Sequence, residues 1–408
     1  MLRRLSTLDR DLSLICLSLF LWGLGAFLYT YIQPLYLTQL GATPEQVGLA
    51  LGLGGLLTAV LYAPIGLWAD RRGRKGVILA GWSLGTAAGY GFAFAPDWRW
   101  FIPAMAAYTL SNFAVSVLNG YIAARTTPDQ RAFVFALISM GFSAGSIAAP
   151  AIGGWIGEQF GLRTVYLVAA VIFTLSTVSM LFIRPQPAEP QASASSARAI
   201  MRQQTILIHL FYLFLLYFAV DVGFVLAPKF LEELRGLTVA QIGWLGTISA
   251  IGTLILAPLI SRFGGGGRLA LAIGQLLSLM SLALLAGAPA LPASMIAFFC
   301  GGGSRLVRAP ALARFANLLT PTTLGFGLGL QQTASQFGLA LSPYLAGILY
   351  AHNPSWPFYV GMMALVGTLG LTVLLPEKAA DQEPARSAAS QRSSRPGRWT
   401  TSRANTLG

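Results

Sequence analysis

Three ionisable side chains lie inside long apolar stretches of this sequence, where charge is unusual. Asp221 falls in the stretch 205–230, and Arg305 and Arg308 fall in the stretch 292–314. An ionisable group within a bilayer costs several kcal/mol, so such residues usually serve a functional site. A guanidinium binds carboxylate or phosphate through paired hydrogen bonds, and a carboxyl group can exchange a proton. The pattern predicts an anion-binding group at the arginines and a candidate proton-coupling residue at Asp221.

Polar and aromatic side chains also recur at helical spacing in four of the apolar stretches, so that each stretch presents one such face. The candidate cavity residues on these faces are Trp22, Tyr29, Gln33, Tyr108, Asn112, Asn119, Tyr217, Asp221, Arg305 and Arg308. Two arginines against one aspartate give this set a formal charge of +1, which favours an anionic group on a ligand. Two alternatives stay open: an ion pair between Asp221 and an arginine that only holds the helices together, and simple helix packing for each aromatic residue.

The composition places these residues in a membrane. Only 10% of the 408 residues are charged, against about 25% in a soluble domain, and the mean hydropathy is +0.65. These values exclude an ordinary cytosolic enzyme, a disordered chain and a disulfide scaffold. A bilayer core of about 30 Å needs roughly 20 apolar residues per helix. Twelve stretches are predicted spans, numbered 1 to 12 in chain order: 12–36, 47–69, 76–95, 100–122, 132–156, 164–183, 205–230, 239–261, 268–288, 292–314, 323–350 and 356–375. Span 1 is too long for the core of a signal peptide and is expected to be retained.

The net charge of +13 follows from topology. With a cytoplasmic N-terminus, 21 of the 27 Lys and Arg residues lie on the cytoplasmic side, and only Arg99, Arg163, Lys229 and Arg235 face outward. This positive-inside pattern predicts a multi-pass protein of the plasma (inner) membrane with both termini in the cytoplasm, and it makes nucleic acid an improbable partner. No nucleotide-binding loop or metal cluster is evident, so we expect no cofactor and no metal.

An internal repeat divides the chain. At an offset of 193 to 195 residues four prolines align, as Pro34/Pro228, Pro64/Pro258, Pro128/Pro321 and Pro150/Pro343. The predicted domains are an N-terminal six-helix bundle (1–183), a cytoplasmic linker (184–204), a C-terminal six-helix bundle (205–376) and a disordered cytoplasmic tail (377–408). Parallel six-span repeats related by an axis along the membrane normal are an arrangement found in transporters.

The loop after span 2 carries a recognisable motif, Gly66-Leu-Trp-Ala-Asp70-Arg71-Arg72-Gly73-Arg74-Lys75. It resembles the signature GxxxD(R/K)xGR(R/K) of the major facilitator superfamily. The resemblance covers about residues 10–376. It implies an all-α membrane fold of two parallel six-helix bundles, with spans 1, 4, 7 and 10 around a central cavity. It also implies a cytoplasmic gate formed by Gly66, Asp70, Arg71, Gly73, Arg74 and Lys75. The acidic residue that relatives often carry at the end of span 4 is absent, since Ala124 and Arg125 stand there.

Span 5 resembles the GxxxGPxxGG motif that the same family associates with exporters and antiporters. Small residues at this spacing allow close helix approach, and Pro150 can bend the span; generic packing is the alternative. The predicted helix-packing residues in spans 5 and 11 are Gly145, Ala149, Pro150, Gly153, Gly154, Gly338, Pro343 and Gly347. The sequence identifies Asp221 as the one carboxylate well inside a span and predicts no buried acid in the first half.

The predicted function is secondary active transport by alternating access, as export of a small organic compound by a monomer in the lipid bilayer, coupled to protons or to another ion. The alternative is uptake or exchange of a small organic anion held by Arg305. A membrane receptor without transport and an intramembrane hydrolase are remote alternatives. The hydrolase would use Gly141-Phe-Ser143-Ala-Gly145, but a G-x-S-x-G nucleophile needs a strand-to-helix turn, and neither His209 nor His352 is suitably placed to activate Ser143. We therefore expect no catalytic residue and no enzyme.

Overall fold

The computed structural model describes residues 9–69, 73–186, 203–264, 267–319 and 324–375. Asp70 and Arg71 lie outside the described residues, as do the side chain of Arg305, most of the predicted linker and the predicted tail. Helices occupy all twelve predicted positions. In chain order they are Arg10–Tyr29 with Gln33–Gln39 (span 1), Pro44–Ala69 (2), Arg74–Ala93 (3), Trp98–Ser111 with Phe113–Arg125 (4), Pro128–Phe160 (5), Leu162–Leu181 (6), Gln204–Val222 with Ala227–Arg235 (7), Val239–Gly264 (8), Arg268–Gly287 (9), Leu291–Leu306 with Arg308–Ala316 (10), Leu324–His352 (11) and Trp356–Leu374 (12).

Membrane insertion explains why the chain is helical. The bilayer core offers no water to backbone groups, so each span must satisfy its own N–H and C=O groups. Within the described residues, eight helical stretches are by themselves long and apolar enough to cross a membrane, and they correspond to predicted spans 1, 4, 5, 6, 7, 8, 9 and 12. In span 10 the described apolar stretch is Leu291–Gly302.

Four spans are each broken into two helices: spans 1, 4, 7 and 10. In spans 1 and 7 the second helix has a proline as its second residue, Pro34 or Pro228. Proline lacks an N–H and disfavours helical backbone before it, so it starts a new helix. Span 4 breaks at Asn112, whose side-chain amide donates to the carbonyl of Thr109 (3.1 Å). Span 10 breaks at Val307. These four spans are the ones predicted to surround the cavity.

The repeat is visible in helix packing. A methyl group at Gly145 of span 5 would lie 2.5 Å from the carbonyl oxygen of Phe20 in span 1, and one at Gly338 of span 11 would lie 2.6 Å from that of Phe214 in span 7. Gly145 and Gly338 differ by 193 positions, and Phe20 and Phe214 by 194. The same kind of helix contact therefore occurs once in each bundle, as the predicted two-bundle fold requires.

The two bundles are joined at one end. One cluster of buried residues draws on both halves of the chain, including Tyr36 and Leu37 from the first and Leu231 and Tyr350 from the second. All of these lie at the end opposite the chain termini. At the terminus end, the described buried residues form separate clusters for the first half and the second half. Among the described residues the apolar core is thus continuous between bundles only away from the termini.

Candidate substrate cavity

A cavity of about 260 Å³ lies where the breaks of spans 1, 7 and 10 meet. Span 1 contributes Thr30 and Tyr31, which sit at its break, and span 7 contributes Tyr217 and Asp221. The remaining lining residues come from spans 7, 8, 10 and 11: Val220, Phe224, Val225, Ser249, Gly301, Val307, Arg308 and Leu339. Both bundles therefore form its wall, and most of its ionisable groups belong to the second.

Asp221 lies near the end of the first helix of span 7, and its backbone carbonyl accepts the N–H groups of Phe224 (2.9 Å) and Val225 (3.0 Å) across the break. Its Oδ2 atom accepts a hydrogen bond from the hydroxyl of Ser342 in span 11. The side chain is partly buried and lines the cavity. A carboxyl group held in this way can exchange a proton or bind a cationic group from the cavity.

Arg308 is the first residue of the second helix of span 10, and its side chain is exposed within the cavity. Its guanidinium lies 5.7 Å from the ring centroid of Tyr217, a cation–π contact. Among the described side chains, no carboxylate oxygen lies within 4.0 Å of it, so Asp221 and Arg308 do not form a direct ion pair. The predicted role of Arg305 stays a prediction, since its side chain lies outside the described residues.

The predicted aromatic residues of the first bundle pack mainly on one another. The Trp22 and Tyr108 rings stack with centroids 6.2 Å apart, and Trp22 lies 4.6 Å from Phe173. Tyr29 is 3% exposed and stacks on Tyr166 at 4.7 Å. This arrangement gives Tyr29 a core-packing position, the alternative that the sequence left open. Trp22 and Tyr108 are partly buried beside that core.

Three predicted polar residues of the first bundle lie apart from Asp221. The Gln33 amide donates to the sulfur of Met105 at 3.8 Å. Asn112 and Asn119 are exposed on span 4. None of the three lines the 260 Å³ cavity. The structure therefore brings together Tyr217, Asp221 and Arg308 of the predicted set, all from the second bundle.

The described part of the gate motif binds the end of span 6. Gly73 precedes span 3 as its N-cap, and Gly66 lies in the span 2 helix. The Arg74 guanidinium donates to the Gln186 side chain (3.2 Å), and the Lys75 ammonium donates to the carbonyl of Leu181 (2.8 Å). These contacts connect the loop after span 2 to the start of the predicted linker.

One sequence prediction was wrong: the first half does contain a buried acid. Asp11 is fully buried at the start of span 1 and forms a 2.8 Å ion pair with Arg125 at the end of span 4. Its Oδ2 also accepts the Tyr121 hydroxyl (2.8 Å) and the Arg184 N–H (3.3 Å). Arg125, placed where relatives carry an acid, was the available signal, because a cation at a buried helix end requires an anionic partner.

Sequence reasoning also missed a polar cluster between the bundles at the end opposite the termini. Lys229, expected to be a solvent-facing topology charge, is 2% exposed. Its ammonium contacts Glu233 (2.5 Å) and donates to the Thr38 hydroxyl of the first bundle (2.9 Å). The Tyr350 hydroxyl donates to the other oxygen of Glu233 (2.7 Å). The position of Lys229 one residue after Pro228, at a helix break, was the only sequence signal.

The predicted packing residues of spans 5 and 11 make the contacts between bundles on the same side. A methyl group at Gly243 of span 8 would lie 2.4 Å from the carbonyl oxygen of Pro150, and one at Gly48 of span 2 would lie 2.2 Å from that of Pro343. The Thr247 hydroxyl of span 8 donates to the carbonyl of Ile147 (2.8 Å) and accepts the N–H of Ala151 (3.2 Å). The Thr247 hydroxyl thus bridges two backbone groups of span 5 beside Pro150.

The other predicted packing residues lie on the same two helices. Ala149 is fully buried. The remaining contacts are made by Gly153 with Leu28, by Gly154 with Gly243 and Val239, and by Gly347 with Pro44, Glu45 and Gly48. Span 5 therefore contacts span 1 within its own bundle and span 8 across the interface.

Two acids at the same end accept hydrogen bonds beside the starts of spans 2 and 8. Glu158 accepts the N–H of Ala240 (2.8 Å) and so caps span 8 from the opposite bundle. The Thr43 hydroxyl donates to Glu45 (2.7 Å), and this hydrogen bond lowers the pKa of the Glu45 carboxyl. Both groups stay ionised at neutral pH, which keeps these contacts in place.

The serine of the hydrolase-like motif lies inside the uninterrupted helix Pro128–Phe160. His209 and His352 each direct one ring nitrogen to a carbonyl of their own helix, that of Thr205 or Ile348. Ser143 therefore has neither the turn nor the base that a serine nucleophile requires. Cys16 and Cys300 are both free thiols.

The two-bundle fold with a cavity at the bundle interface defines a membrane transporter. The model of the Major Facilitator Superfamily matches residues 15–238 and 210–406. This chain belongs to the Major Facilitator Superfamily, so it is a transporter and not an enzyme, as the resemblance of the loop motif implied.

Among similar proteins is the multi-drug resistance efflux pump PmrA of Streptococcus pneumoniae, 31% identical over 171 residues, which cover 40% of this chain and 43% of the relative. The chain thus aligns with less than half the length of that relative. Multidrug resistance protein 2 of Bacillus subtilis is 24% identical over 384 residues, covering 89% of this chain and 94% of the relative.

Solved structures share the fold. A peptide transporter POT in complex with sulfate has a TM-score of 0.73 at 15% identity, covering 90% of this chain and 94% of that one. The nucleoside transporter NupG has a TM-score of 0.72 at 15% identity, covering 90% and 98%. A bacterial homologue of the human lysosomal transporter Spinster, in an inward-facing and unoccupied conformation, has a TM-score of 0.66 at 16% identity, covering 90% and 94%. At these identities the likeness concerns the fold alone.

Proposed function

We propose that this chain exports small organic compounds from the cytoplasm in exchange for protons, by alternating access of the cavity to the two sides of the membrane. The observation that carries the proposal is the cavity, which has walls from both bundles and an ionisable residue, Asp221, in the interior of the membrane. The similarity to proteins named as multidrug efflux pumps favours export.

The packing of the bundles supports alternating access. The described core joins the bundles at the end opposite the termini and is separate for each bundle at the terminus end. With both termini in the cytoplasm of a plasma (inner) membrane protein, this state is closed outward. Rocking of one bundle against the other would exchange these contacts. We take the transporting unit to be the monomer, with domain limits at 1–183, 184–204, 205–376 and 377–408 as the sequence predicts.

Asp221 is the proposed proton-coupling residue. It is a carboxyl group that lines the cavity and bonds to Ser342 of span 11, so a change in its protonation alters a contact between spans 7 and 11. A carboxylate that alternately holds a proton and releases it into the cavity couples proton flow to the movement of cargo.

Transport into everted membrane vesicles tests this function directly. We expect ATP- or lactate-energised vesicles that contain the protein to accumulate at least one of ethidium, fluorescein and rhodamine B, which are cationic, anionic and zwitterionic probes. We expect a protonophore or Asp221→Asn to abolish the accumulation. Asp97→Asn is the control and should preserve it, because Asp97 is the N-cap residue of span 4 and accepts the backbone N–H of Arg99 away from the cavity. Accumulation that continues in Asp221→Asn vesicles would rule out Asp221 as the coupling residue.

A further inference from the structure

We infer that the cavity selects zwitterionic cargo, with an anionic group bound at Arg308 and a cationic group bound at Asp221. The inference rests on the proposed function in that it names the class of compound this cavity transports. It begins from the placement of opposite charges on one small cavity, with Asp221 on span 7 and Arg308 on span 10.

The two charged groups line the same cavity, where one ligand can reach both, and they do not form a direct ion pair. The Arg308 guanidinium packs on the ring of Tyr217, one helical turn of about 5.4 Å before Asp221 on span 7. No carboxylate oxygen of a described side chain lies within 4.0 Å of Arg308. Opposite charges in a low-dielectric interior attract each other. Each group has its own partner instead, since Arg308 packs on Tyr217 and Asp221 accepts a hydrogen bond from Ser342.

Each group keeps capacity for a ligand. Ser342 occupies one oxygen of the Asp221 carboxylate, and a carboxylate has two oxygens that can each accept two hydrogen bonds. Arg308 has five N–H donors, and the described contact that it makes is with the face of an aromatic ring, which leaves the donors available. A guanidinium presents these donors as a planar fork that fits a carboxylate or another small oxyanion.

Most of the remaining wall is apolar, with Val220, Phe224 and Leu339 among its residues, and hydroxyl-bearing residues such as Thr30 and Ser249 complete it. A compound with an apolar or aromatic body between an ammonium and a carboxylate complements this surface: the ammonium faces Asp221, the carboxylate faces Arg308 and the body contacts the apolar wall. A compound with one charge leaves the opposite group desolvated without a partner, which is unfavourable in a membrane interior. The volume of 260 Å³ limits the occupant to a small molecule.

Binding to the detergent-purified full chain tests the inference with four probes on one ring scaffold. The zwitterion is 4-(aminomethyl)benzoate, the anion 4-methylbenzoate, the cation 4-methylbenzylamine and the neutral compound 4-methylbenzamide. We expect isothermal titration calorimetry at pH 7 to show that the wild type binds the zwitterion at least tenfold more tightly than each other probe.

Each charge-removing variant should lose the preference for the zwitterion over one of the two singly charged probes. We expect Arg308→Gln to lose at least tenfold in affinity for the zwitterion and keep its affinity for the cation, and Asp221→Asn to keep its affinity for the anion. The retained affinity shows that each variant is folded. Arg308→Lys keeps part of the preference, and Arg99→Gln, on the outward-facing side, leaves all affinities unchanged.

The inference is overturned if the wild type binds the anion or the cation as tightly as the zwitterion, if Arg308→Gln keeps the zwitterion preference, or if the zwitterion does not bind at millimolar concentration. Such results leave the vesicle assay unaffected, because a cavity of different selectivity can still export. Conversely, charge-selective binding by a protein that moves no probe into vesicles contradicts the proposed function alone.

Discussion

Asp9 and Asp11 contact the same guanidinium from different environments. Each has a carboxylate oxygen 2.8 Å from a nitrogen of Arg125, but the Asp9 side chain is 36% exposed and that of Asp11 is fully buried. Water can replace the first contact and cannot reach the second. Because the two distances are equal, a comparison of Asp9 with Asp11 shows how burial alone changes the stabilising effect of an ion pair.

We expect Asp11→Asn to destabilise the protein by about 2 kcal/mol, because it weakens a buried charge-assisted network that also includes Tyr121 and Arg184. Asp9→Asn should cost at most about 0.5 kcal/mol, as for an exposed ion pair. Thermal unfolding in detergent, followed by tryptophan fluorescence, compares the two variants with the wild type. Equal shifts in the unfolding midpoint would show that burial does not govern the strength of this network.

A second pair of acids tests the cluster around Lys229. Glu233 pairs with the buried ammonium and accepts the Tyr350 hydroxyl, whereas the adjacent Glu232 makes neither contact. We expect Glu233→Gln to lower stability by about 2 kcal/mol, since it leaves Lys229 buried with Thr38 as its main partner. Glu232→Gln is the matched control and should change little. The same unfolding assay measures both, and a larger loss in Glu232→Gln would refute the assignment.

At the scale of helices, close packing depends on a few glycines. Alanine normally favours a helix over glycine by about 1 kcal/mol, so Gly→Ala should stabilise a span wherever the new methyl group has room. Gly367 of span 12 has nothing within 4 Å of the position of such a methyl group, whereas Gly145 and Gly338 face backbone atoms of the neighbouring span. Backbone cannot move aside as a flexible side chain can.

We therefore expect Gly145→Ala and Gly338→Ala each to destabilise their bundle by about 1–3 kcal/mol through overpacking, and Gly367→Ala to be neutral or slightly stabilising. Unfolding midpoints of the three variants, measured side by side, check the sign of each change. A neutral Gly145→Ala would mean that the span 1 to span 5 crossing is looser than these contacts require, and a destabilising Gly367→Ala would mean that open space beside a glycine does not decide the sign.

The helices and their arrangement in two bundles were the features of this molecule that the sequence predicted best. Hydropathy and the proline repeat predicted the twelve helices and the two bundles, because span length and internal repetition are local properties. The breaks at Asn112 and Val307 were not predicted, since a break in an apolar run has a weak local signal. The pairing of Asp11 with Arg125 joins residues 114 positions apart, and a single sequence carries no record of such contacts.

The candidate site was predictable in part for the same reason. Asp221 and Arg308 stood out as charges in apolar runs, and both line the cavity. The aromatic residues Trp22, Tyr29 and Tyr108 have the same periodicity whether they face a cavity or a core, so spacing could not distinguish the two. Tertiary packing places Tyr29 in the core of the first bundle.

At the scale of the whole molecule, one hydroxyl group crosses the interface between the bundles beside a proline inside a helix. Proline at position 150 removes a backbone donor from span 5, and the Thr247 hydroxyl of span 8 bridges the nearby carbonyl of Ile147 and the N–H of Ala151. Repeat symmetry places Gly52 at the equivalent position of span 2, where it faces the carbonyl of Ala340. The side-chain bridge thus belongs to one of two related interfaces.

We expect Thr247→Val, which keeps the shape and removes the hydroxyl, to favour the state in which this end of the bundles is open. Loss of two hydrogen bonds of about 0.5–1.5 kcal/mol each corresponds to a shift of about 5- to 150-fold in the conformational equilibrium. Spin labels at Arg99, at the start of span 4, and at Asn353, in the loop after span 11, report the separation of the bundles by pulsed electron paramagnetic resonance in lipid nanodiscs. The native Cys16 and Cys300 are replaced by alanine to keep the labels specific.

The matched control is Thr333→Val. Among the described residues, the Thr333 hydroxyl bonds only to the Gly329 carbonyl of its own helix (3.0 Å), and it lies away from the contact between spans 5 and 8. We expect its distance distribution to match that of the parent protein, and that of Thr247→Val to gain a longer component. If both variants give the parent distribution, apolar packing of Gly243 on Pro150 holds the interface without the bridge. If both gain the longer component, the loss of any hydroxyl in these helices loosens the bundles, and Thr247 has no special place in their closure.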